Sequence, residues 1–236
     1  GLNTNGDCFL QMAQSIPFSI IRKESFDAER LEALFFGKLN LLKDNFEDEY
    51  ALKLQNNWKY LKLKYNLQEE IGLQPQFFKL RPDNFPTIRL SQLVNILCTK
   101  HNLFSQLINA NSYQEINKIL KSETSEYWKN HYNFSKTSKI KNKVLTSQFI
   151  DLIIINTIIP IKFSYEKNQG KLIVEDLIKL LEAISPEKNS IINKFSEFNV
   201  EIKNAFQSQS LLELKNEYCN KNNCLNCAVG LQLLKN

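Results

Sequence analysis

The sequence predicts an all-α fold, a single globular domain of roughly nine or ten helices over residues 1–236. Apolar residues recur at three- and four-residue steps along most of the chain, which is the spacing of one helix face. Only six Gly and six Pro are present, too few for an architecture of many hairpins. Strand patterns do not alternate with helix patterns, so a parallel sheet is not expected. Gly and Pro mark a connection at 72–86, where we expect a sub-boundary of the domain.

One-sided apolar patterns place the helices of the first half. They predict helices over 26–39, 47–65, 87–98, 103–108 and 113–120, with a shorter piece around Trp128. Ser25 is a suitable N-cap for the first of these helices. Pro86 fits the first turn of the third, because proline has no backbone N–H to leave unpaired there. Asn84 or Thr87 is the expected cap at that position.

The segment 147–159 is apolar on nearly all sides and fits either a buried helix or a pair of buried strands. Its isoleucines favour strands. Its length and its four-residue recurrence favour a buried helix, which we predict. Further amphipathic patterns predict helices over 171–184, 187–195 and 209–218, and a short last helix is expected from Cys224 onward.

The composition is that of a folded protein in a reducing compartment. Hydrophobic residues make up 43% of the chain, which excludes a disordered segment of this length. The longest apolar run, 149–163, is shorter than a membrane span and contains Asp151, so no membrane partner is expected. Five cysteines, an odd number, argue against a secreted disulfide scaffold and favour the cytoplasm. Because the first residue is not Met, we expect a processed product or the downstream part of a longer protein.

The last tenth of the chain holds a cysteine cluster with the spacing C-x4-C-x2-C, formed by Cys219, Cys224 and Cys227. Three thiolates this close in sequence can converge on one metal ion, and a structural zinc site takes four ligands. The candidates for the fourth ligand are Cys98, His101 and His131. Zinc is favoured over an iron–sulfur cluster, because the plant-type cluster pattern needs another cysteine downstream and none follows Cys227. The alternative is three reduced thiols, two of them packed at the start of a helix.

Positive charge concentrates in residues 111–143, which hold seven Lys against three Glu. Aromatic residues are interleaved with these lysines, a combination that can contact a phosphate backbone and stack bases. Arg81 and Arg89 flank a stiff turn before a helix, where they would grip a phosphate or a carboxylate. The candidate anion or nucleic-acid residues are Arg81, Arg89, Lys129, Lys136, Lys139, Lys141 and Lys143. The alternative, which we favour, is a solvated loop with its aromatic side chains in the core, beside a structural turn.

The sequence contains no catalytic signature. It has no G-x-S-x-G motif, and its six scattered glycines cannot form a phosphate-binding or dinucleotide-binding loop. Its two histidines are too far apart for a helical metal-hydrolase motif. We therefore expect a helical binding or scaffolding domain. A nucleic-acid-contacting module that accompanies a catalytic N-terminal half is the first alternative, and an iron–sulfur redox module is the second.

Several strings together resemble one family. They are EALFFG at 32–37, RPDNFPTIRLSQL at 81–93, YWKNHY at 127–132, INTIIP at 155–160, SQSLLEL at 208–214, and Cys219 with CLNC at 224–227. The chain resembles, from end to end, the bacterial proteins grouped as domain of unknown function 2851, found chiefly in Bacteroidetes. Members of this family are longer at the N-terminus, so the resemblance implies that the chain is a C-terminal half whose partner is the N-terminal half. Lys38 and Asn40 stand where Gln and Gly are expected. The resemblance implies no particular reaction.

Overall fold

The computed structural model describes residues 3–68, 72–134, 136–171 and 173–234. Within these residues the all-α prediction is confirmed, because helices dominate and the one sheet has two short strands. The thirteen α-helices described exceed the nine or ten predicted. They are α1 (Gly6–Ser15), α2 (Phe18–Glu24), α3 (Ala28–Lys38), α4 (Glu49–Tyr65), α5 (Pro86–Thr99), α6 (Leu103–Asn109), α7 (Tyr113–Leu120), α8 (Ser147–Ile153), α9 (Ile159–Asn168), α10 (Val174–Glu182), α11 (Ser190–Glu197), α12 (Ala205–Glu213) and α13 (Ala228–Leu234).

The chain divides into two compact units. Unit 1 comprises Gly1–Gln106 and Lys118–Ile150, and unit 2 comprises Leu107–Asn117 and Asp151–Asn236. The connection at 72–86, where we expected a sub-boundary, lies inside unit 1. Turns and a short 3₁₀-helix in this connection lead into α5, so it joins two helices of the same unit.

Helix α3 packs against both α4 and α5 in unit 1. Asp27 caps its first turn, since the Asp27 Oδ1 accepts a hydrogen bond from the Arg30 backbone N–H at 3.1 Å. Ser25, the cap expected from the sequence, instead donates its hydroxyl to the Arg22 carbonyl oxygen. Asp27 immediately precedes the first helical residue, which is the position from which a side-chain oxygen reaches the free N–H groups of the first turn.

Helix α3 ends in a turn that needs a left-handed residue. The Asn40 backbone has a φ of 55°, and its N–H donates to the Gly37 carbonyl at 3.0 Å. The Leu41 N–H donates to the Phe36 carbonyl at 2.9 Å, which completes a Schellman motif. Glycine is the usual residue at such a position and asparagine is the next most tolerant, which explains how Asn40 replaces the expected Gly.

The hydrophobic core of unit 1 surrounds α3, whose side chains are buried on nearly every side. The Trp128 indole is fully buried and meets the Phe36 ring edge-on, with centroids 5.5 Å apart. The other fully buried large apolar residues include Phe35, Leu31, Leu34, Leu39, Leu54, Leu61, Ile88 and Leu90. Burial of this much apolar surface, at about 25 cal/mol per Å², is the main stabilising contribution in unit 1.

The segment around Trp128, predicted as a short helix, forms a 3₁₀-helix and a hairpin. The 3₁₀-helix Glu126–Lys129 leads into β1 (His131–Asn133), which pairs antiparallel with β2 (Lys136–Thr137). The register pairs His131 with Thr137 and Asn133 with Lys136. The apolar spacing in this stretch covers about one turn, too short to favour an α-helix by itself.

The apolar segment 147–159 forms a helix as predicted, and this helix is longer than expected. Helix α8, a π-helical stretch (Ile154–Ile158) and α9 join into one 22-residue helix, Ser147–Asn168. Its length and its mean hydropathy of 1.3 would suffice to cross a membrane, contrary to the expectation from the sequence. One such helix does not identify a membrane protein, because core helices of water-soluble proteins meet the same criterion.

In unit 2, α12 packs against both α10 and α11. Asn189 caps α11, since its Oδ1 accepts hydrogen bonds from the Ile191 and Ile192 N–H groups at 3.1 and 3.0 Å. Asn204 caps α12 in the same way through the Gln207 N–H at 3.0 Å. The buried apolar side chains in this unit include Ile154, Ile158, Leu177, Leu180, Ile184, Ile192 and Ala205.

Helix α12 continues into a π-helical stretch, Leu214–Cys219, and the chain then enters the 3₁₀-helix Cys224–Asn226 and α13. Helix α13 folds back closely on this 3₁₀-helix. A Cβ atom on Gly230 would overlap the Cys224 carbonyl, so a residue without a side chain is required there. The last helix predicted from Cys224 onward is therefore present, but it begins four residues later.

Candidate anion-binding pocket

Arg89, one of the two arginines predicted to bind an anion, forms hydrogen bonds within its own turn. The Arg89 Nη1 donates to Gln92 Oε1 at 2.9 Å and its Nη2 donates to Asn84 Oδ1 at 2.5 Å. The guanidinium lies 3.7 Å from the centroid of the Phe149 ring. Burial lowers the pKa of Arg89 to about 10. Asn84 therefore binds Arg89 rather than capping α5, and Arg81 alone of the two arginines is exposed.

The predicted lysines differ in their surroundings. Lys143 is buried and donates to the carbonyls of Trp128, Lys129 and His131, so it closes the end of the 3₁₀-helix Glu126–Lys129. Lys141 pairs with Asp83 at 2.7 Å and Lys129 pairs with Glu126 at 2.7 Å. Lys136 and Lys139 are exposed and form no ion pair with any described residue. Contact of the exposed residues of the predicted set with an anion or a nucleic acid stays a prediction.

The aromatic residues between these lysines face inward. The Tyr127 ring stacks between Tyr50 and His131, with centroid distances of 4.3 and 4.0 Å. Phe134 lies against Trp128, with centroids 5.1 Å apart. Both faces of the Tyr127 ring are thus covered, so this ring cannot stack on a base.

The three clustered cysteines are not part of a group of three or more possible metal ligands in the described residues. Cys219 and Cys224 are exposed, Cys227 is buried at the start of α13, and all five cysteines are free thiols. Within the part of the chain that the structure describes, no group of three or more His, Cys, Asp or Glu side chains could hold a metal ion. Binding of zinc or of an iron–sulfur cluster stays a prediction, which metal analysis and thiol titration would test.

The three candidates for a fourth ligand have packing contacts in unit 1. Burial raises the pKa of the Cys98 thiol to about 11, which disfavours the thiolate that binds metals. The His101 ring lies against Phe26, with centroids 5.6 Å apart. The His131 ring stacks on Tyr127, and its Nδ1 lies 2.9 Å from the Tyr127 carbonyl oxygen.

A buried carboxylate, not predicted from the sequence, lies at the centre of unit 1. The Glu32 Oε1 accepts hydrogen bonds from the Ser91 and Ser125 hydroxyls at 2.6 and 3.1 Å. Its Oε2 accepts from the Tyr50 hydroxyl at 2.6 Å and from the Trp128 Nε1 at 3.0 Å. Burial raises the pKa of Glu32, and the four hydrogen bonds partly offset this effect. The carboxyl has no exposure to solvent, so it fastens α3 to its neighbours rather than meeting a ligand.

An open pocket of ≈ 260 Å³ lies between the end of α3, the loop that follows it and α4. Helix α4 contributes Gln55, Trp58, Lys59 and Lys62, whose three- and four-residue spacing places them on one face. The loop contributes Lys43. The pocket thus combines an indole, an amide and three lysine side chains.

Close packing of Trp58 on α3 forms one wall of the pocket. A Cβ atom on Gly37 would overlap the Trp58 indole, so the missing side chain allows α4 to approach α3 at this point. The Trp58 side chain is only 8% exposed, because its indole lies against α3. The Gly37–Trp58 contact therefore determines the shape of the pocket.

The charge in this pocket is positive. Lys43 and Lys59 are exposed, and neither forms an ion pair within the described residues. The Gln55 amide donates to the carbonyls of Leu42 and Asp44 at 2.8 and 2.9 Å, which occupies two acceptors that would otherwise oppose an anion. Ammonium groups arranged around a concave surface focus a field that attracts anions.

This pocket was not predicted from the sequence. The helix at 47–65 was predicted from its apolar face alone, which includes Trp58. The available signal was on the neighbouring face, where Gln55, Lys59 and Lys62 are three to seven residues apart. Lys43 could not have been included, because only the fold brings the loop after α3 next to α4.

A protein-family model matches the greater part of the chain. A family model described as "Protein of unknown function (DUF2851)" matches residues 1–190. No curated protein and no solved structure matches the chain. The matched residues include all of the pocket, whereas the cysteine cluster lies beyond them.

Proposed function

The chain belongs to the DUF2851 family, and we propose that it is a helical binding domain that takes phosphate groups into the pocket between α3 and α4. Lys43 and Lys59 line the same concave surface, and neither has an acidic partner in the described residues. This observation supports the proposed function. Phosphate oxygens accept several hydrogen bonds at once, and lysine ammonium groups bind them as point charges.

The phosphate could belong to a small molecule or to a nucleic-acid backbone, since both present the same group. Nucleic-acid contact was an alternative predicted from the lysines of 111–143. The pocket offers a different location for that contact, on α4 and the loop before it. The indole of Trp58 is too deeply buried to stack on a base, so recognition here rests on the phosphate charge.

The test measures binding of pyrophosphate by calorimetry and of a fluorescein-labelled oligothymidylate by anisotropy, both at low salt. In the double variant Lys43→Gln/Lys59→Gln we expect affinity to fall at least about tenfold for whichever probe binds, because each lost phosphate contact removes a charge interaction. The matched control is Lys136→Gln/Lys139→Gln, which removes the same charge from two exposed lysines of the predicted basic segment.

The outcomes separate the alternatives. Pyrophosphate binding that depends on Lys43 and Lys59 supports a small phosphorylated ligand, and oligonucleotide binding with the same dependence supports a nucleic acid. Loss of binding in the Lys136→Gln/Lys139→Gln variant alone would assign the contact to the hairpin region and overturn the proposal. Absence of binding of either probe to the unaltered protein would overturn it too.

A further inference from the structure

Unit 2 contains a second pocket, separate from the one assigned above. It is a cavity of ≈ 290 Å³ between α11 and the π-helical stretch Leu214–Cys219. Its walls are mainly apolar and include Ile191, Phe195 and Phe198. The Phe198 ring is 78% exposed, which is unusual for an aromatic side chain that already borders a concave surface. A cavity of this size is at the lower end of the range for small-molecule sites.

Two lysines border this apolar cavity. Lys194 projects from α11 and Lys215 from the π-helical stretch. Neither forms an ion pair with a described residue, and the nearby Glu217 is occupied by Lys221. An apolar wall with two ammonium groups beside it is complementary to an amphipathic anion, whose hydrocarbon part enters the cavity while its charged group stays at the lysines.

A thiol lies at the same cavity. Cys219 is exposed and follows Lys215 by four residues in a stretch where the Asn220 N–H donates to the Lys215 carbonyl at 2.8 Å. This five-residue hydrogen bond widens the helix, and such π-helical turns are frequent at functional sites. The wider turn places Lys215 and Cys219 in the lining of the same cavity.

We propose that this cavity binds a small amphipathic carboxylate, of the size of a medium-chain fatty acid. The chain of the ligand would lie against Phe195, Phe198 and Ile191, and its carboxylate would pair with Lys194 and Lys215. Cys219 borders the site without reacting with the ligand and therefore reports its occupancy. This site is independent of the phosphate pocket in unit 1, so either can fail without the other.

The experiment uses decanoate as the probe. The intact, folded chain is treated with iodoacetamide, and the rate of modification of each cysteine is then measured by peptide mass spectrometry after digestion. Decanoate at ten times its dissociation constant should slow modification of Cys219 by about tenfold, because only the unoccupied fraction reacts. Cys224 is an internal control, since it is also exposed and does not line the cavity. Equal rates at Cys219 with and without decanoate, or equal slowing at both cysteines, would overturn the proposal.

Two further comparisons test the role of charge. In Lys194→Gln/Lys215→Gln, the affinity for decanoate should fall at least about tenfold, so the same concentration should slow modification of Cys219 by no more than about twofold. In Lys188→Gln, which removes an exposed lysine outside the cavity, protection should be unchanged. Decanol, which has the same chain without the charge, should protect poorly. Equal protection by decanol and decanoate, or full protection in the double lysine variant, would contradict an anion site.

Discussion

Single residues account for much of the packing in unit 1, and Gly37 is the clearest case. Its lack of a side chain is what allows the Trp58 indole to lie directly on α3. An apolar residue at this position would fit the helical pattern of α3, so periodicity alone gives no reason for glycine. The requirement arises from the approach of a second helix.

We expect Gly37→Ala to destabilise the protein by about 1–3 kcal/mol, because the new methyl group must displace the indole. The measurement is the free energy of unfolding in urea. Gly6→Ala is the matched control, since a Cβ atom on Gly6 meets nothing within 4 Å, and it should be neutral or slightly stabilising. An unchanged midpoint in Gly37→Ala would show that the helices are farther apart than described.

The buried carboxyl of Glu32 leads to a second prediction, which concerns how the stability of the fold depends on pH. Burial raises the pKa of this carboxyl above its ordinary value of 4.5, so the folded state holds the proton more tightly than the unfolded state. Its contribution to stability is therefore complete below about pH 4.5 and is lost as the pH rises through the raised pKa.

Glu32→Gln has no such proton to lose. We expect the free energy of unfolding of the unaltered protein, minus that of Glu32→Gln, to fall as the pH rises from about 4.5 to 8. Urea unfolding at several pH values gives this difference. Glu182→Gln, an exposed substitution that also removes one carboxyl, is the matched control. A difference that increases with pH for Glu32→Gln would refute the raised pKa.

At the scale of elements, buried lysines close the ends of helices. Lys143 closes the 3₁₀-helix Glu126–Lys129, Lys38 donates to the Gln68 carbonyl just after α4, and Lys162 donates to the Ile108 and Ala110 carbonyls at the end of α6. Carbonyl groups at a helix end have no partner within the helix, and a lysine side chain supplies up to three donors. These three lysines therefore stabilise helix ends, and their positive charges are not available to bind a ligand.

Lys143→Met should be destabilising by about 2–4 kcal/mol, because it leaves buried carbonyls without their donor. Lys139→Met, in the same segment but exposed, should change stability by less than about 0.5 kcal/mol. Thermal and urea unfolding would measure both. Similar small effects in the two variants would mean that water replaces the Lys143 ammonium.

The elements also show how far the sequence could predict the fold. Helices such as α3, α5 and α7 were predicted within a few residues, because their apolar faces are continuous. The π-helical turn Ile154–Ile158 could not be predicted, since every residue in it also fits an α-helix. The hairpin at 131–137 was missed, because its strands of three and two residues are too short to show the two-residue alternation of a strand.

The candidate sites were harder to predict than the helices. The sites predicted from the sequence were based on distinctive patterns, namely the clustered cysteines and the arginines around Pro86. The pocket residues Lys43 and Lys59 are ordinary surface lysines in sequence. What distinguishes them is their position across a pocket, which depends on the turn at Asn40.

At the scale of the whole molecule, the net charge of +5 and its placement govern how a polyanion would bind. If Lys43 and Lys59 each neutralise one phosphate of a single strand, the logarithm of affinity should fall with the logarithm of salt concentration with a slope of about −1.4. Lys43→Gln should reduce the magnitude of this slope by about 0.7. Anisotropy titrations across a salt series measure both, and an unaltered slope in Lys43→Gln would exclude this lysine from the contact.

The two tryptophans give the intact chain an optical label for one of its two units. Trp58 and Trp128 are the only tryptophans in the sequence, and both belong to unit 1. Excitation at the red edge of the protein absorption band therefore reports on unit 1 alone, whereas the circular dichroism of the peptide bonds records both units. Comparing the two signals during one denaturant titration would follow each unit in the natural sequence, without a dye or a truncated chain.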